Sequence, residues 1–139
     1  MRDHIIVCGD DALARRIIDE LKGDDLSVVL LKSPTALEAA GIRTAHAVIA
    51  AAAEDSVNLE VALLARQANP DVRVVTRLSN RVLYEAMSGS IGAGAVLDVA
   101  DLAAPSVVEA LLGRTAHSIR VGGVDFVVAT DTAAADSTL

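Results

Sequence analysis

The chain has 139 residues, 53% of them hydrophobic, and a formal net charge of −7. This length suits one buried core, so we predict one domain with a short terminal segment. The negative charge disfavours nucleic-acid binding, and Tyr84 and Phe126 are the only aromatic residues available to stack on bases. The single cysteine, Cys8, excludes an internal disulfide and a multi-cysteine metal site.

The longest apolar run, residues 47–53, is far shorter than the roughly 18 residues of a membrane span. We therefore expect no direct insertion into a membrane. Met1-Arg2-Asp3 leads straight into an apolar stretch without the features of a secretory signal. Together these features predict a cytoplasmic protein.

Apolar periodicity and turn residues predict alternating strands and helices. In chain order we predict a strand at 4–8, a helix at 12–22, a strand at 27–31, a short helix at 33–40, a strand at 47–52, a helix at 56–69, a strand at 72–76, a helix at 80–87, a strand at 95–97 and a helix at 101–112. Continuously apolar strands are typical of a parallel sheet with helices on both faces. The predicted fold class is therefore α/β and Rossmann-like.

The end of the chain departs from this alternation. Residues 117–121 and 124–130 are strand-like and flank Gly122-Gly123, which predicts a C-terminal β-hairpin. Residues 131–139 are small and polar and are expected to fray. We place the domain boundary between residues 1–114, the Rossmann-like domain, and residues 115–139, the hairpin with its linker.

Three stretches carry a family resemblance. They are His4-Ile-Ile-Val-Cys-Gly9, then Asp55-Ser-Val-Asn58-Leu-Glu-Val-Ala-Leu-Leu-Ala-Arg66 with Asn69-Pro70 after it, and Val72-Arg-Val-Val-Thr-Arg77 followed by Leu97-Asp-Val-Ala-Asp-Leu-Ala-Ala-Pro105. Together they resemble the N-terminal domain of the potassium-conductance regulators, the RCK, KTN or TrkA-N family. The middle stretch is the most specific, and the resemblance covers nearly the whole chain.

The resemblance implies a regulatory domain, not an enzyme, that binds NAD(H), ATP or ADP. It also implies a homodimer or higher ring, formed through the sheet edge and helices, that controls a potassium channel or transporter subunit at the inner face of the cell membrane. The nucleotide-binding residues that it implies are Gly9, Asp10, Asp11, Ala12, Leu13, Lys32, Ala51, Asp55, Asn58 and Arg77. Residues 121–139 resemble the family's connection into a second, ligand-sensing domain.

The phosphate-binding loop departs from the dinucleotide-binding pattern. That pattern has three glycines, for the tight turn, the approach of pyrophosphate and helix packing, and only Gly9 is present, with Asp11 and Ala14 at the other two positions. Asp10 and Asp11 stand where free helix N–H groups would bind phosphate, which suggests an anion site satisfied by the protein itself. A helix cap with a solvated neighbour is an equally good interpretation.

The second departure follows the second strand, where Lys32 replaces the acid that usually binds ribose. An exposed lysine without a ligand is the better interpretation of that residue. Helix capping by Asp55 or Ser56 explains their loop as well as ligand binding does. A surface salt bridge is an equal alternative for Arg77.

The third departure is the link between the second and third strands. Family members normally carry another helix and strand before the segment matching residues 36–42, whereas here residues 32–46 alone make the connection. The link must shift about 10 Å sideways and return about 20 Å along the strands, which its length allows with little slack. We predict a five-stranded sheet without one edge strand; an engineered deletion or an omitted disordered segment stays open.

No catalytic constellation is visible in the sequence. His4, His46 and His117 have no metal-ligand spacing, and Tyr84 lacks the lysine four residues later that a short-chain dehydrogenase carries. Two alternatives to a nucleotide sensor remain: a degenerate dimerising scaffold, and an NAD-dependent oxidoreductase, which the sequence supports less.

Overall fold

The computed structural model describes residues 3–91, 95–113 and 116–129. Its main sheet is parallel and has the strand order β2-β1-β3-β4-β5. The strands are β1 (Ile5–Cys8), β2 (Val28–Leu31), β3 (Ala47–Ala50), β4 (Arg73–Arg77) and β5 (Val96–Leu97). This confirms the predicted five-stranded parallel sheet, with β2 at one edge.

Helices cover both faces of the sheet, as predicted. They are α1 (Ala12–Gly23), α2 (Asp55–Ala68), α3 (Arg81–Ile91) and α4 (Val99–Leu112). On one face Ala14 and Ile18 of α1 pack against Val7 and Ala51. The larger core lies on the other face, where side chains of α2 such as Val61 meet the inner strands. Side chains of the buried strands thus contribute to two cores, which explains their continuously apolar sequence.

The link between β2 and β3 differs from the single helix predicted at 33–40. Ser33 and Pro34 begin a 3₁₀ turn, Pro34–Ala36, and a second 3₁₀ turn, Ile42–Thr44, follows Gly41. A 3₁₀ turn rises about 2.0 Å per residue against about 1.5 Å for an α-helix, so it spans more distance with the same residues. The buried His4 holds the link in place by donating a hydrogen bond from Nε2 to the Ala40 carbonyl at 2.6 Å.

Several helix bounds also differ from prediction. α2 begins at Asp55 rather than Ser56, and α3 continues to Ile91. α4 begins two residues before the predicted Asp101, because Asp98 caps it by accepting hydrogen bonds from the backbone N–H of Ala100 and Asp101.

The C-terminal hairpin is present as predicted. Strands β6 (Ala116–Val121) and β7 (Val124–Ala129) pair antiparallel around Gly122 and Gly123, whose φ angles are 59° and 80°. Positive φ at both turn residues gives a twist that matches the flanking strands, and glycine accommodates it without strain. The boundary residues 114–115, Thr130 and the tail at 131–139 lie outside the described residues, so the domain division stays a prediction.

Candidate functional site

The candidate site lies where the chain reverses its direction across the sheet. From β1 the chain goes outward to β2 and then returns to β3 on the other side of β1, which makes the topological switch point of an open α/β sheet. A cleft of about 160 Å³ opens at the carboxyl ends of these strands. It is lined by Gly9, Asp10, Lys32, Ala52, Ala53, Glu54 and Val57.

Gly9 brings two elements of the site into contact. Its φ of 152° is one that side chains rarely allow, and an added Cβ would lie 2.9 Å from both the carbonyl carbon and oxygen of Ala51. Ala51 is 1% exposed and donates its N–H to the Cys8 carbonyl at 2.8 Å. The turn after β1 therefore packs against the end of β3, which requires glycine at this position and closes the floor of the cleft.

Asp11 caps α1 and at the same time forms an ion pair. Its Oδ1 accepts a hydrogen bond from the Ala14 backbone N–H at 3.0 Å, and its Oδ2 accepts one from Arg77 Nη1 at 2.8 Å. Arg77 lies at the end of β4, two strands from β1, so its long side chain crosses about 10 Å to reach this carboxylate. The N-terminus of α1 and the guanidinium, which both attract anions, are thus occupied by the protein's own carboxylate.

The environment of Asp11 stabilises its charged form. The hydrogen bond from the Ala14 N–H, followed by the hydrogen bond and charge of Arg77, lowers the pKa of Asp11 below its ordinary value, although burial opposes this. A depressed carboxyl pKa contributes stability above the unfolded-state pKa, and this contribution is lost as the pH falls through the folded-state pKa.

We expect Asp11→Asn to lower the free energy of unfolding by about 1 kcal/mol at neutral pH, since it removes the charge but keeps the cap oxygen. The difference from wild type should shrink as the pH falls from about 5 to about 3, because Asp11 itself becomes protonated there. Urea denaturation at several pH values measures both quantities. An unchanged difference across this range would contradict the lowered pKa.

Asn58 is fully buried, and its amide joins two loops of the site. Its Oδ1 accepts from the Ala52 N–H at 2.8 Å, and its Nδ2 donates to the carbonyls of Ala52 and Arg77 at 2.8 and 2.9 Å. Both amide protons and an oxygen lone pair are therefore engaged within the protein. Asn58 fixes the loop after β3 to the end of β4; direct contact with a nucleotide stays a prediction.

Asp55 anchors a neighbouring loop instead of capping its own helix. Its carboxylate accepts hydrogen bonds from the backbone N–H groups of Ser79 at 2.9 Å and Asn80 at 2.7 Å. The residue at the N-cap of α2 is Glu54, which makes no side-chain cap bond. Neither Asp55 nor Ser56 has the capping role that the sequence suggested, and the carboxylate of Asp55 is committed to the loop after β4.

The ten predicted residues fall into separate groups. Gly9, Asp10 and Lys32 share the cleft, whereas Asp11 and Arg77 form their ion pair beside it. Leu13 faces a second, apolar cleft of about 270 Å³ on the α1 side of the sheet, and Ala12 is exposed. Sequence reasoning did not include Glu54, whose place directly after the third strand was the available signal.

Two further properties concern the described residues only. Within 3–91, 95–113 and 116–129, no three His, Cys, Asp or Glu side chains are placed to hold a metal ion together. No helix in this part of the chain has the length and apolar character needed to cross a bilayer.

Comparison with known proteins gives one family and several structural neighbours. Residues 31–99 match the family model for the TrkA-N domain. No curated protein matches the chain in sequence. Among solved structures, "GsuK channel bound to NAD" aligns with a TM-score of 0.64 and 19% identity over 77% of this chain, and "GsuK Channel" aligns with a TM-score of 0.64 and 18% identity over 77%.

A third neighbour is "Shewanella denitrificans Kef CTD in AMP bound form", with a TM-score of 0.65 and 20% identity. It aligns over 79% of this chain and 80% of its own. The alignments with the GsuK chains cover 23% of those chains, so this sequence spans about a quarter of their length. At these identities the three neighbours establish the fold.

Proposed function

Because the chain belongs to the TrkA-N domain family, we propose that it is a non-enzymatic regulatory domain that binds NAD(H) or an adenine nucleotide and controls a potassium channel or transporter. The nucleotide enters the cleft at the carboxyl ends of β1, β2 and β3. The observation that carries this proposal is the cleft's place at the topological switch point, where open α/β sheets bind ligands. Two structural neighbours, described as bound to NAD and to AMP, support the ligand class.

Within the cleft, adenosine and phosphate face different surroundings. Lys32 is the only basic residue among the seven that line it, and Asp10 and Glu54 contribute two carboxyl groups. Carboxylates accept hydrogen bonds from ribose hydroxyls but repel phosphate. We therefore propose that the adenosine half is held in the cleft and that its phosphates extend toward the N-terminus of α1.

A second candidate function is a degenerate scaffold that self-associates without binding nucleotide. The observation in its favour is the pairing of the Asp11 carboxylate with both the Ala14 N–H and Arg77, since those donors would otherwise bind phosphate. The two candidates differ in one measurable respect, the affinity of the domain for nucleotides.

Calorimetric titration with NAD, NADH, ATP, ADP and AMP tests the proposal. We expect heat of binding with at least one of them, and Asp11→Gly should raise the affinity about tenfold, or about 1.4 kcal/mol, because it frees the N-terminus of α1 and Arg77 for phosphate. Asp25→Gly is the matched control: it removes the same charge at the far end of α1, at a φ of 62° that glycine adopts without strain.

The scaffold candidate predicts no heat of binding and no ligand-induced thermal shift for either protein, even at millimolar nucleotide. Binding by wild type with no gain in Asp11→Gly would leave the sensor function intact but refute the blocking role of Asp11. Hydride transfer by the isolated domain would refute the non-enzymatic assignment in favour of an oxidoreductase.

The proposal includes self-association to a homodimer or ring. None of the 14 residues of α4 is buried, and Val107 and Leu111 on it are 66% and 84% exposed. An apolar helix surface of this kind is stabilised by contact with another molecule, and a second copy of the chain is the partner that the family membership favours.

A further inference from the structure

β2 leaves one side of the sheet unpaired. Among the described residues it forms strand hydrogen bonds with β1 alone. The short link to β3 lies over one face of the sheet, where Leu37 and Ile42 pack into the larger core, and does not continue the sheet beyond β2. The strand contains neither proline nor a charged residue, which are the usual protections of an exposed edge.

The backbone hydrogen bonds determine which residues point out of this edge. The carbonyls of Ser27 and Leu31 accept from the N–H groups of Ile5 and Gly9, so the odd-numbered residues of β2 face β1. In a parallel strand the groups of alternate residues point the opposite way. The free N–H and C=O groups at the edge therefore belong to Leu26, Val28 and Leu30.

The side chains of the same segment are unusually exposed. Leu26 and Leu30 are 44% and 46% exposed, on either side of the partly buried Val28. Alternate residues of a strand share a face of the sheet, so these three apolar side chains form one row. The segment thus presents both unpaired backbone groups and an unburied apolar row.

We propose that the β2 edge is a contact surface for a second copy of this chain, with the two β2 strands paired antiparallel about a two-fold axis at Val28. In this register Val28 lies opposite Val28 of the partner subunit, and Leu26 lies opposite the partner's Leu30. Each of these pairs has outward-facing backbone groups, so the hydrogen bonds form between unpaired donors and acceptors. The inference rests on the proposed self-association and is independent of nucleotide binding.

The charges that flank β2 favour the same register. Asp24 and Asp25 precede the strand and Lys32 follows it. Antiparallel pairing about Val28 places the acidic turn of one copy beside Lys32 of the other, at both ends of the contact. A register shifted to pair Val28 with the partner's Leu30 would instead place Lys32 opposite a leucine. The chosen register is self-complementary in both apolar and charged residues.

The arrangement also brings the two copies of α1 together. α1 contacts both β1 and β2, so in a continuous sheet its two copies lie about two strand spacings, or about 10 Å, apart. This is the usual distance between packed helices. Leu13 and Ile17 of α1 face the apolar cleft over β3 and β4, and the opposite flank carries Arg15, Asp19 and Lys22, with charges of both signs.

Oxidative cross-linking of single-cysteine replacements tests the register. Val28→Cys should form a disulfide-linked dimer, because directly opposite Cα atoms in such a pair lie about 5.5 Å apart. Leu30→Cys alone should cross-link about tenfold more slowly or less, although it is more exposed, because its two copies are separated by about 14 Å along the strands. Mixing Leu26→Cys with Leu30→Cys should restore cross-linking. Cys8 does not interfere, since it is fully buried and burial raises the pKa of its thiol.

Light scattering at tens of micromolar completes the experiment. We expect wild type to associate and Leu30→Lys to lower the mass of the assembly, with Leu111→Lys on α4 as the comparison at a different surface. An assembled wild type whose Val28→Cys variant cross-links no faster than Leu30→Cys would overturn this inference alone. A wild type that is monomeric would overturn both this inference and the proposed self-association, and calorimetry would still decide nucleotide binding.

Discussion

Replacing Asn58 by alanine should cost about 3 kcal/mol of unfolding free energy, the largest loss that we expect from a single side chain at the site. The substitution removes three hydrogen bonds, two of them to Ala52 and one to Arg77. It also opens a cavity where a fully buried side chain stood. A partly buried donor or acceptor left unpaired costs about 1 to 3 kcal/mol, and water can replace some of these bonds.

Chemical denaturation measures this loss, with Asn80→Ala as the matched control. Asn80 caps α3 from an exposed position by accepting from the N–H groups of Val82 and Leu83. Its loss should cost about 1 kcal/mol, the ordinary effect of an N-cap. Equal losses for the two variants would show that the buried position of Asn58 adds nothing.

Asn58→Asp separates the loss of hydrogen bonds from the loss of volume. A carboxylate retains the bond from the Ala52 N–H but faces the carbonyls of Ala52 and Arg77 with an oxygen in place of Nδ2. We expect this variant to be strongly destabilised at neutral pH and to recover as the pH falls, because a protonated carboxyl donates one hydrogen bond. A pH-independent deficit relative to wild type would contradict this account.

Gly9→Ala is expected to destabilise the fold by a similar amount, about 3 kcal/mol. Part of this cost is the strain of a side chain at a φ of 152°, and part is the contact of the new Cβ with the backbone of Ala51 at 2.9 Å. Relief requires separation of the loop after β1 from the end of β3. Because the same contact forms the floor of the cleft, nucleotide affinity should fall together with stability.

Gly23→Ala is the control for Gly9→Ala. Gly23 ends α1 and has no heavy atom within 4 Å of an added Cβ. Alanine there should leave stability unchanged or raise it by about 0.5 kcal/mol, because it favours the helix more than glycine does. Thermal and urea unfolding of both variants check the contrast, and a tolerated Gly9→Ala would mean that the loop after β1 moves freely.

The sequence predicted the β2–β3 link with less success than the sheet that it connects. Ser33 followed by Pro34 correctly marked the start of a helical turn, but the turn ends at Ala36 because the link must also descend the length of the strands. Local residue preferences indicate where a helix begins. They do not contain the distance that the chain must cover before the next strand, and here that distance favours 3₁₀ geometry.

Site residues were predicted by position more accurately than by role. Asp11 was expected as a cap or as the occupant of an anion site, and the structure gives it both an α1 cap bond and a partner in Arg77. Asp55 and Asn58 were assigned to ligand or helix cap, yet their side chains bind the backbone of neighbouring loops. The sequence placed these polar groups at one end of the sheet, but it did not show which backbone groups lay within their reach.

By itself the sequence determined the alternation of strands and helices, the parallel sheet, the hairpin at Gly122-Gly123 and the need for a glycine at residue 9. These features depend on apolar periodicity and on φ preferences, which act between residues close together in the chain. The tertiary structure alone decided that Arg77 would reach across β3 to Asp11, that Asn58 would spend its amide on two loops, and that β2 would leave one edge unpaired. Those outcomes depend on the lateral order of the strands, because that order sets which distant side chains and backbone groups meet and which remain without partners.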